Sequence, residues 1–493
     1  LHRNNRLAFS SSSRMPTSPH RNLLAFLATS AIILTLPHCT TLGPDYTAPE
    51  SITPDLWNQS LPGSSDSNAA ELQAWWRHYE DPSLNSLIRK AEEANLDLAV
   101  AGERVMQAKA ARNATASVLF PQVSGIGSYN RNRGTENGLI PPPFGGATND
   151  IYDLGFTAGW ELDFWGKNRR LVEAASASAA AQVEILHDAR LSIFTEVAVA
   201  YIELRTVEQR IDITQKNLGT QQESVKIAQD RLDAGLVPEL DLTQAQANQA
   251  NTEASIPQLR QQRISILNRL AVLLGTYPAQ VEPLIKRSRG IPMPKRSVAM
   301  GLPTDLIRSR PDIRAAERSL AAANARIGST KAELYPQFSL GGTFTLQAIN
   351  SNNLLDLGSR NTGFGPNFNW NLFNANRVKN QIATAESQTR EAYASYEQTV
   401  LKAVSEVETA MAQLRYERER LAALDRAVVA ARKSRELIKE NYKEGLLPFQ
   451  NVLDTERVVL QTEDSRAASR GQIAAAYARL YKALGGGTRT NLK

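Results

Sequence analysis

Cysteine occurs once in the whole chain, at Cys39. A lone cysteine excludes an intrachain disulfide and a cysteine-cluster metal site. Histidine is nearly as scarce, and beyond the first 38 residues only His78 and His187 remain. No P-loop, dinucleotide fingerprint or zinc-binding HExxH is present. The chain therefore carries no catalytic constellation, calls for no cofactor and holds no energy source, so any transport through it is passive and driven by partners. An enzyme would be marked by clustered titratable residues, which are missing. Acidic residues are absent from the first 38 positions, which hold Arg3, Arg6, Arg14 and Arg21. Setting those four aside leaves 52 basic against 50 acidic residues, so most of the +6 net charge belongs to the leader and does not argue for nucleic acid.

A long apolar run is also missing. Leu23 to Leu36 is the apolar stretch of the leader, shorter than the roughly 20 residues a membrane helix needs. Arg14 and Arg21 precede it, Met15 reads as the start, and 1–38 has the anatomy of a secretory signal peptide. Cys39 follows directly, as in a bacterial lipobox, where the cysteine becomes the lipidated first residue. Leu36 suits that motif, whereas His38 stands where a small residue is usual. One lipidated residue gives modest attachment and would supplement another anchor.

The stretch to weigh as that other anchor is Ile151 to Trp165 (IYDLGFTAGWELDFW). Even positions from Tyr152 to Phe164 are apolar, and the odd ones from Asp153 to Asp163 are polar or Gly. Strand side chains alternate faces, so this strand has one apolar and one polar face. A transmembrane β-strand of roughly 9–11 residues reads this way, and so does a half-buried strand of a soluble sandwich.

In chain order, 39–82 is an extended polar lead ending at Trp75 and Trp76, which pin it to the body. A helix is predicted from Ser83 to Leu119, ended by Phe120-Pro121, then a short strand (Val123 to Asn130) and a Gly/Pro loop to the opening strand. A 3-4 apolar spacing from Val183 through Leu218 and Val225 to Leu232 predicts one coiled-coil-like helix over 167–232, roughly 100 Å at 1.5 Å per residue. Gly235 and Pro238 break it, and a second helix runs from Asp241 to Leu274, with a possible kink at Pro257. Residues 276–303 form a Pro-rich linker. The pattern then returns: helix (Pro303 to Leu334), strand (Phe338 to Gln347), strand (Thr362 to Phe373), long helix (Asn376 to Lys443) and helix to Leu484, with 486–493 a tail.

This return is a duplication of 83–275 in 304–485. Pro121-Gln122 and Asp97 match Pro336-Gln337 and Asp312 at an offset of 215. Trp160, Gly235-Leu236-x-Pro238 and Leu274-Gly275 match Trp370, Gly445-Leu446-x-Pro448 and Leu484-Gly485 at 210. Three of the four strands alternate cleanly, with aromatic ends at Trp160, Phe164, Trp165, Trp370 and Phe373, as in an interfacial girdle. Four strands cannot close a barrel, and an open edge is not tolerated in lipid. Transmembrane strands would have to be pooled, eight from two chains or twelve from three. The helices 241–274 and 83–119, stacked end to end, match the long one.

Several motifs together carry a family resemblance that runs from Cys39 to about Gly485: Leu42-Gly43-Pro44-Asp45-Tyr46, Trp75-Trp76 with Asp81-Pro82 and Leu84, Asn95-Leu96-Asp97-Leu98, Trp160-Glu161-Leu162-Asp163 with Gly166, Gly235-Leu236-Val237, Gly301-Leu302-Pro303, and Arg310-Pro311-Asp312-Ile313 with Ala316-Glu317. The chain resembles the TolC family of outer-membrane efflux channels, in its lipoprotein (NodT-like, OprM-like) branch. The resemblance implies a mainly α homotrimer with a twelve-stranded outer-membrane β-barrel, four strands per chain, continued by a periplasmic α-helical barrel. It implies a lipid-anchored protein of a Gram-negative outer membrane. It also implies a periplasmic adaptor and an inner-membrane transporter of RND type as partners, and export of drugs, metals or other small molecules.

By the same resemblance, adaptor contact falls on Ala234, Gly235, Leu236 and Val237 and on Glu444, Gly445, Leu446 and Leu447, where Gly and Pro also simply make the turns. Gate positions fall on Tyr442, Asn451 and Asp454, with Asn451 standing where some members have Asp. Asp454 also reads as a helix-start residue at N3, with Asn451 as N-cap. Alternatives left open are a conduit for type I protein secretion and, from another class, a secreted coiled-coil scaffold or adhesin.

Overall fold

The computed structural model describes residues 41–50, 53–54, 56–59, 65–66, 74–138, 146–285, 290–295, 299–300 and 303–486. The signal segment, Cys39 and Gly301-Leu302 lie outside the described residues. The order is α1 (Pro82–Ala94), α2 (Leu96–Ser117), β1 (Gln122–Arg133), β2 (Thr148–Leu162), α3 (Lys167–Asp233), α4 (Glu239–Leu273), α5 (Pro303–Ser309), α6 (Pro311–Ala332), β3 (Gln337–Ala348), β4 (Arg360–Asn369), α7 (Arg377–Lys443) and α8 (Phe449–Ala483). A two-residue parallel pair joins Ser65–Asp66 to Ala299–Met300. The chain divides into a sheet unit, built around 119–170 and 331–374, and a helical unit holding 44–118, 171–330 and the chain from 375 on.

In the sheet unit the four strands lie in the order β1-β2-β3-β4, each antiparallel to its neighbour. The register explains why the alternation in sequence matters. Gly125, Phe156, Phe344 and Thr362 share one row, as do Gly127, Leu154 and Leu346; Trp160, Leu340 and Pro366 make another. Opposed residues share a face, so all these side chains stand on one side. The rows of the other face hold Ser124, Thr157, Thr343 and Gly363, then Ser128, Asp153 and Gln347. Phe156 is 60% and Phe364 79% exposed, so the apolar face has no cover within the chain. Among the described residues the outer edges of β1 and β4 are unpaired.

The strand ends are tied by a repeated device. Trp160 Nε1 donates to the Leu119 carbonyl and Trp370 Nε1 to the Leu334 carbonyl, both at 3.0 Å. β1 runs longer than its expected span and takes in Arg131 to Arg133, whereas β2 keeps its 15 residues but is shifted, starting at Thr148 and ending at Leu162, so Phe164 and Trp165 follow the strand. β4 likewise stops at Asn369, so Trp370, Leu372 and Phe373 follow the strand rather than extend it.

In the helical unit, α3 and α7 have 67 residues each, and α4 and α8 have 35. α4 runs through Pro257 as one helix. Two single helices expected from the sequence are each broken in two. α1 ends before Asn95, whose Oδ1 accepts from the Leu98 N–H (2.9 Å) while its Nδ2 donates to the Leu273 carbonyl (2.9 Å). α5 ends before Arg310, which stands at the same place in the repeat and donates to the Ala483 carbonyl (3.0 Å). Each break thus seats the carboxyl end of α4 or α8 against the start of α2 or α6, satisfying carbonyls that a helix end leaves unbonded. Arg310 is buried and also bonds Asp312 and Glu406, at 2.7 and 2.8 Å through Nη2.

The lead is pinned where the tryptophans predict. Trp75 is fully buried, stacked on Tyr481 with centroids 5.6 Å apart, and Tyr79 Oη donates to the Ala474 carbonyl (2.6 Å). Asp81 caps α1 through the Ser83 and Leu84 amides and accepts from Tyr201 Oη (2.8 Å). Upstream, Tyr46 Oη donates to Glu317 (2.9 Å). No described helix is long and apolar enough to cross a membrane.

Candidate functional site at the helical tips

Two helical hairpins end in the same turn. α3 stops at Gly235 (φ +70°), whose N–H donates to the Leu232 carbonyl (2.8 Å) while the Leu236 N–H reaches back to Arg231 (2.9 Å). α7 stops at Gly445 (φ +75°), with matching bonds to Tyr442 (3.0 Å) and from Leu446 to Asn441 (2.9 Å). This double bond is the Schellman stop, which needs a left-handed residue and so favours Gly. Pro238 and Pro448 then stand at the N-cap of α4 and α8. The turn lifts Leu236 and Leu446 into solvent, 65% and 71% exposed; Val237 and Leu447 are half-buried, and Ala234 and Glu444 are exposed.

Behind the tips lies a small core of Ala228, Ala245, Tyr442, Phe449, Val452 and Leu453. Tyr442 is buried there, its ring 5.1 Å from Phe449. Burial, and then the Asp241 carboxylate, pushes its phenol above the ordinary tyrosine range. Arg231 covers the Tyr442 ring at 5.0 Å and donates to the carbonyls of Tyr442 (3.0 Å) and Lys443 (2.7 Å). A cation on the last carbonyls of α7 is favoured by both hydrogen bonding and the helix dipole.

The three expected gate residues stand in different surroundings. Tyr442 is in the core, while Asp454 is exposed on α8, accepting from Gln450 Nε2 (2.9 Å) with Arg457 3.8 Å away. Asn451 is half-buried and is not the N-cap: α8 begins at Phe449 after Pro448, so Asn451 occupies the third helical position and Asp454 lies a turn further in. Proline explains the earlier start, since its fixed φ and missing N–H suit a helix entrance.

The seam of α3 also departs from the expected spacing near the tips. Thr214, Asn217, Gln221, Ser224 and Ala228 are buried, whereas Leu218 and Val225 are only half-buried. Their partners are buried carboxylates of α8. Glu456 accepts from Ser224 Oγ (2.6 Å) and Asn248 Nδ2 (3.1 Å), and Glu463 from Asn217 Nδ2 (2.9 Å) and Arg432 Nε (2.6 Å). Burial pushes the Glu456 carboxyl above its usual range. The one signal in sequence is that Glu456 and Glu463 stand seven apart, at core positions of their helix. Among the described residues no cluster of His, Cys, Asp or Glu could hold a metal.

Comparison with known proteins agrees with this architecture. The family model for "Outer membrane efflux protein" matches residues 87–276 and 302–486, one segment in each half of the duplication. Nodulation protein T of Rhizobium leguminosarum bv. viciae is 31% identical over 464 residues, covering 94% of this chain and 93% of its own. The antibiotic efflux pump outer membrane protein ArpC of Pseudomonas putida is 30% identical, covering 94% and 95%. The solved outer-membrane channel OprN superposes with a TM-score of 0.85 at 33% identity, covering 91% of this chain and 99% of its own. A mainly helical chain with four antiparallel strands, made of two repeated halves, is thus matched along nearly its whole length by efflux channels, which are not enzymes. The chain belongs to the outer membrane efflux protein family.

Proposed function

We propose that three copies of this outer-membrane channel pool their sheets into a twelve-stranded barrel and act as the passive exit duct of a tripartite pump for small molecules. A periplasmic adaptor and an inner-membrane transporter of RND type complete the pump. The observation that carries this reading is the sheet: one predominantly apolar face, one polar face and, among the described residues, two unpaired edges. Such a sheet is unstable alone in lipid, and closure with copies of itself satisfies every edge. A lipid on Cys39 would add a second anchor, and a Cys39→Ser chain would then take up no labelled palmitate.

The adaptor is assigned to the tips, where Leu236 and Leu446 stand out beside Gly235 and Gly445, flanked by Ala234 and Val237 and by Glu444 and Leu447. In a strain deleted for this protein, loss of resistance across a panel of drugs, dyes and metals is expected. Leu236→Cys and Leu446→Cys chains should restore it and cross-link to the adaptor, while Leu355→Cys in the loop between β3 and β4 should not cross-link. An unchanged susceptibility profile would count against small-molecule efflux and favour the secretion conduit.

Tyr442, Asn451 and Asp454 are assigned to the gate. Three Asp454 carboxylates around a narrow axis would attract cations and repel anions. Arg231 joins them as a restraint, because it ties the end of α3 to the end of α7. Charge-assisted bonds contribute about 1.5–3 kcal/mol each, so Arg231→Ala is expected to raise the open probability in planar bilayers about tenfold or more. An unaltered conductance record for Arg231→Ala would remove Arg231 from the gate.

A further inference from the structure

Beside the polar seam, a cleft of about 330 Å³ opens between α3, α7 and α8. Lys216 of α3, Arg432 and Arg435 of α7, and Arg466 and Arg470 of α8 line it, against two carboxylates, Asp212 and Glu463. Both carboxylates are already engaged: Asp212 holds Lys216 (2.7 Å), and Glu463 holds Arg432 (2.6 Å). Arg466 is paired outside the cleft with Asp425 (2.7 Å). Arg435 and Arg470 have no carboxylate in ion-pair contact among the described residues, and both are half-buried. The lining therefore carries a surplus of positive charge in a concavity, where the field of fixed charges is focused.

Guanidinium groups present planar forks that fit the oxygens of phosphate and carboxylate in pairs. Spacings of three (432, 435) and four (466, 470) put each pair on one helix face, turned to the same space. The geometry points to a binding site for a soluble, multivalent oxyanion of the phosphate or polycarboxylate class, held by Arg435 and Arg470 with Lys216 at the third wall. Such an anion touches α3, α7 and α8 at once. Its binding free energy favours the arrangement in which α7 and α8 lie against α3, the same helices that end at or begin from the two tips.

The test uses the purified full-length protein in detergent, titrated calorimetrically with pyrophosphate and, separately, with chloride at matched ionic strength. Saturable pyrophosphate binding below about 1 mM is expected, with no saturable response to chloride. Arg435→Gln with Arg470→Gln should weaken it at least tenfold, while the exposed Arg426→Gln leaves it unchanged. Melting of the double variant in phosphate-free buffer should match the parent, which separates loss of the site from loss of the fold. If the parent binds nothing saturably, as when carboxylates of a neighbouring copy fill the cleft, the inference is overturned. It is overturned equally if the double variant, melting normally, keeps the parent affinity.

Discussion

Phe156→Arg combined with Phe344→Arg is expected to abolish accumulation of the protein in the outer membrane and, with it, all efflux. The two residues lie directly opposite in the β2–β3 ladder, on the apolar face, 60% and 49% exposed in the chain. Phe156 is near the middle of a 15-residue strand. An arginine facing lipid at the bilayer midplane costs about 2–4 kcal/mol. Two per chain come to about 4–8 kcal/mol, comparable with the whole folding margin of about 5–15 kcal/mol. The matched control is Thr157→Arg with Thr343→Arg, one residue along on the opposite face in the same register. Those charges face the lumen of the proposed barrel, so this variant should insert normally and change only ion selectivity. Membrane fractionation with quantitative blotting reads both; normal insertion of the Phe double variant would show that the apolar face does not meet lipid.

Gly275→Val is expected to destabilise the helical unit severely, by on the order of 3 kcal/mol or more from left-handed backbone strain and contact with a neighbouring carbonyl. Gly275 has φ +58°, and a Cβ there would lie 1.9 Å from the Ala94 carbonyl oxygen. That oxygen cannot retreat freely, because the next residue, Asn95, is bonded to Leu273. Two controls separate strain from collision. Gly485, the repeat equivalent at φ +75°, would bring its Cβ to 2.9 Å from Ser309, so Gly485→Val should cost less. Gly235, at φ +70°, has open space around it, so Gly235→Ala should cost only about 1–2 kcal/mol. Thermal melts of the detergent-solubilised proteins rank the three. A Gly275→Val protein that melts with the parent would mean that the junction is far softer than its distances imply.

What could be read without coordinates was whatever repeats along the chain. Alternation in β2 and β3, the heptad frame of α3 and the Gly-x-x-Pro turns are local patterns; β4 repeats the alternation of β2, and Gly445 to Pro448 repeats the turn at Gly235 to Pro238. The break before α6 was also within reach, since Arg310 precedes Pro311 and a residue before proline avoids the helical region. Asn95 was harder: an asparagine within a helical pattern becomes a boundary only because Leu273, far along the chain, needs a donor.

The sequence by itself determined the duplication, the amphipathic strands, the positions of the turns and the absence of catalytic machinery, because spacing and residue type express these locally. Tertiary structure decided which polar groups are buried and what they meet. Ser224 and Glu456, like Asn217 and Glu463, are separated by more than 200 residues and bond because α8 lies along α3. It also decided that Arg231 reaches the end of α7, that Tyr442 is buried in a core while Asp454 is exposed, and that five cations surround one cleft. Burial and pairing are properties of distant residues brought together, and no periodicity along one segment encodes them.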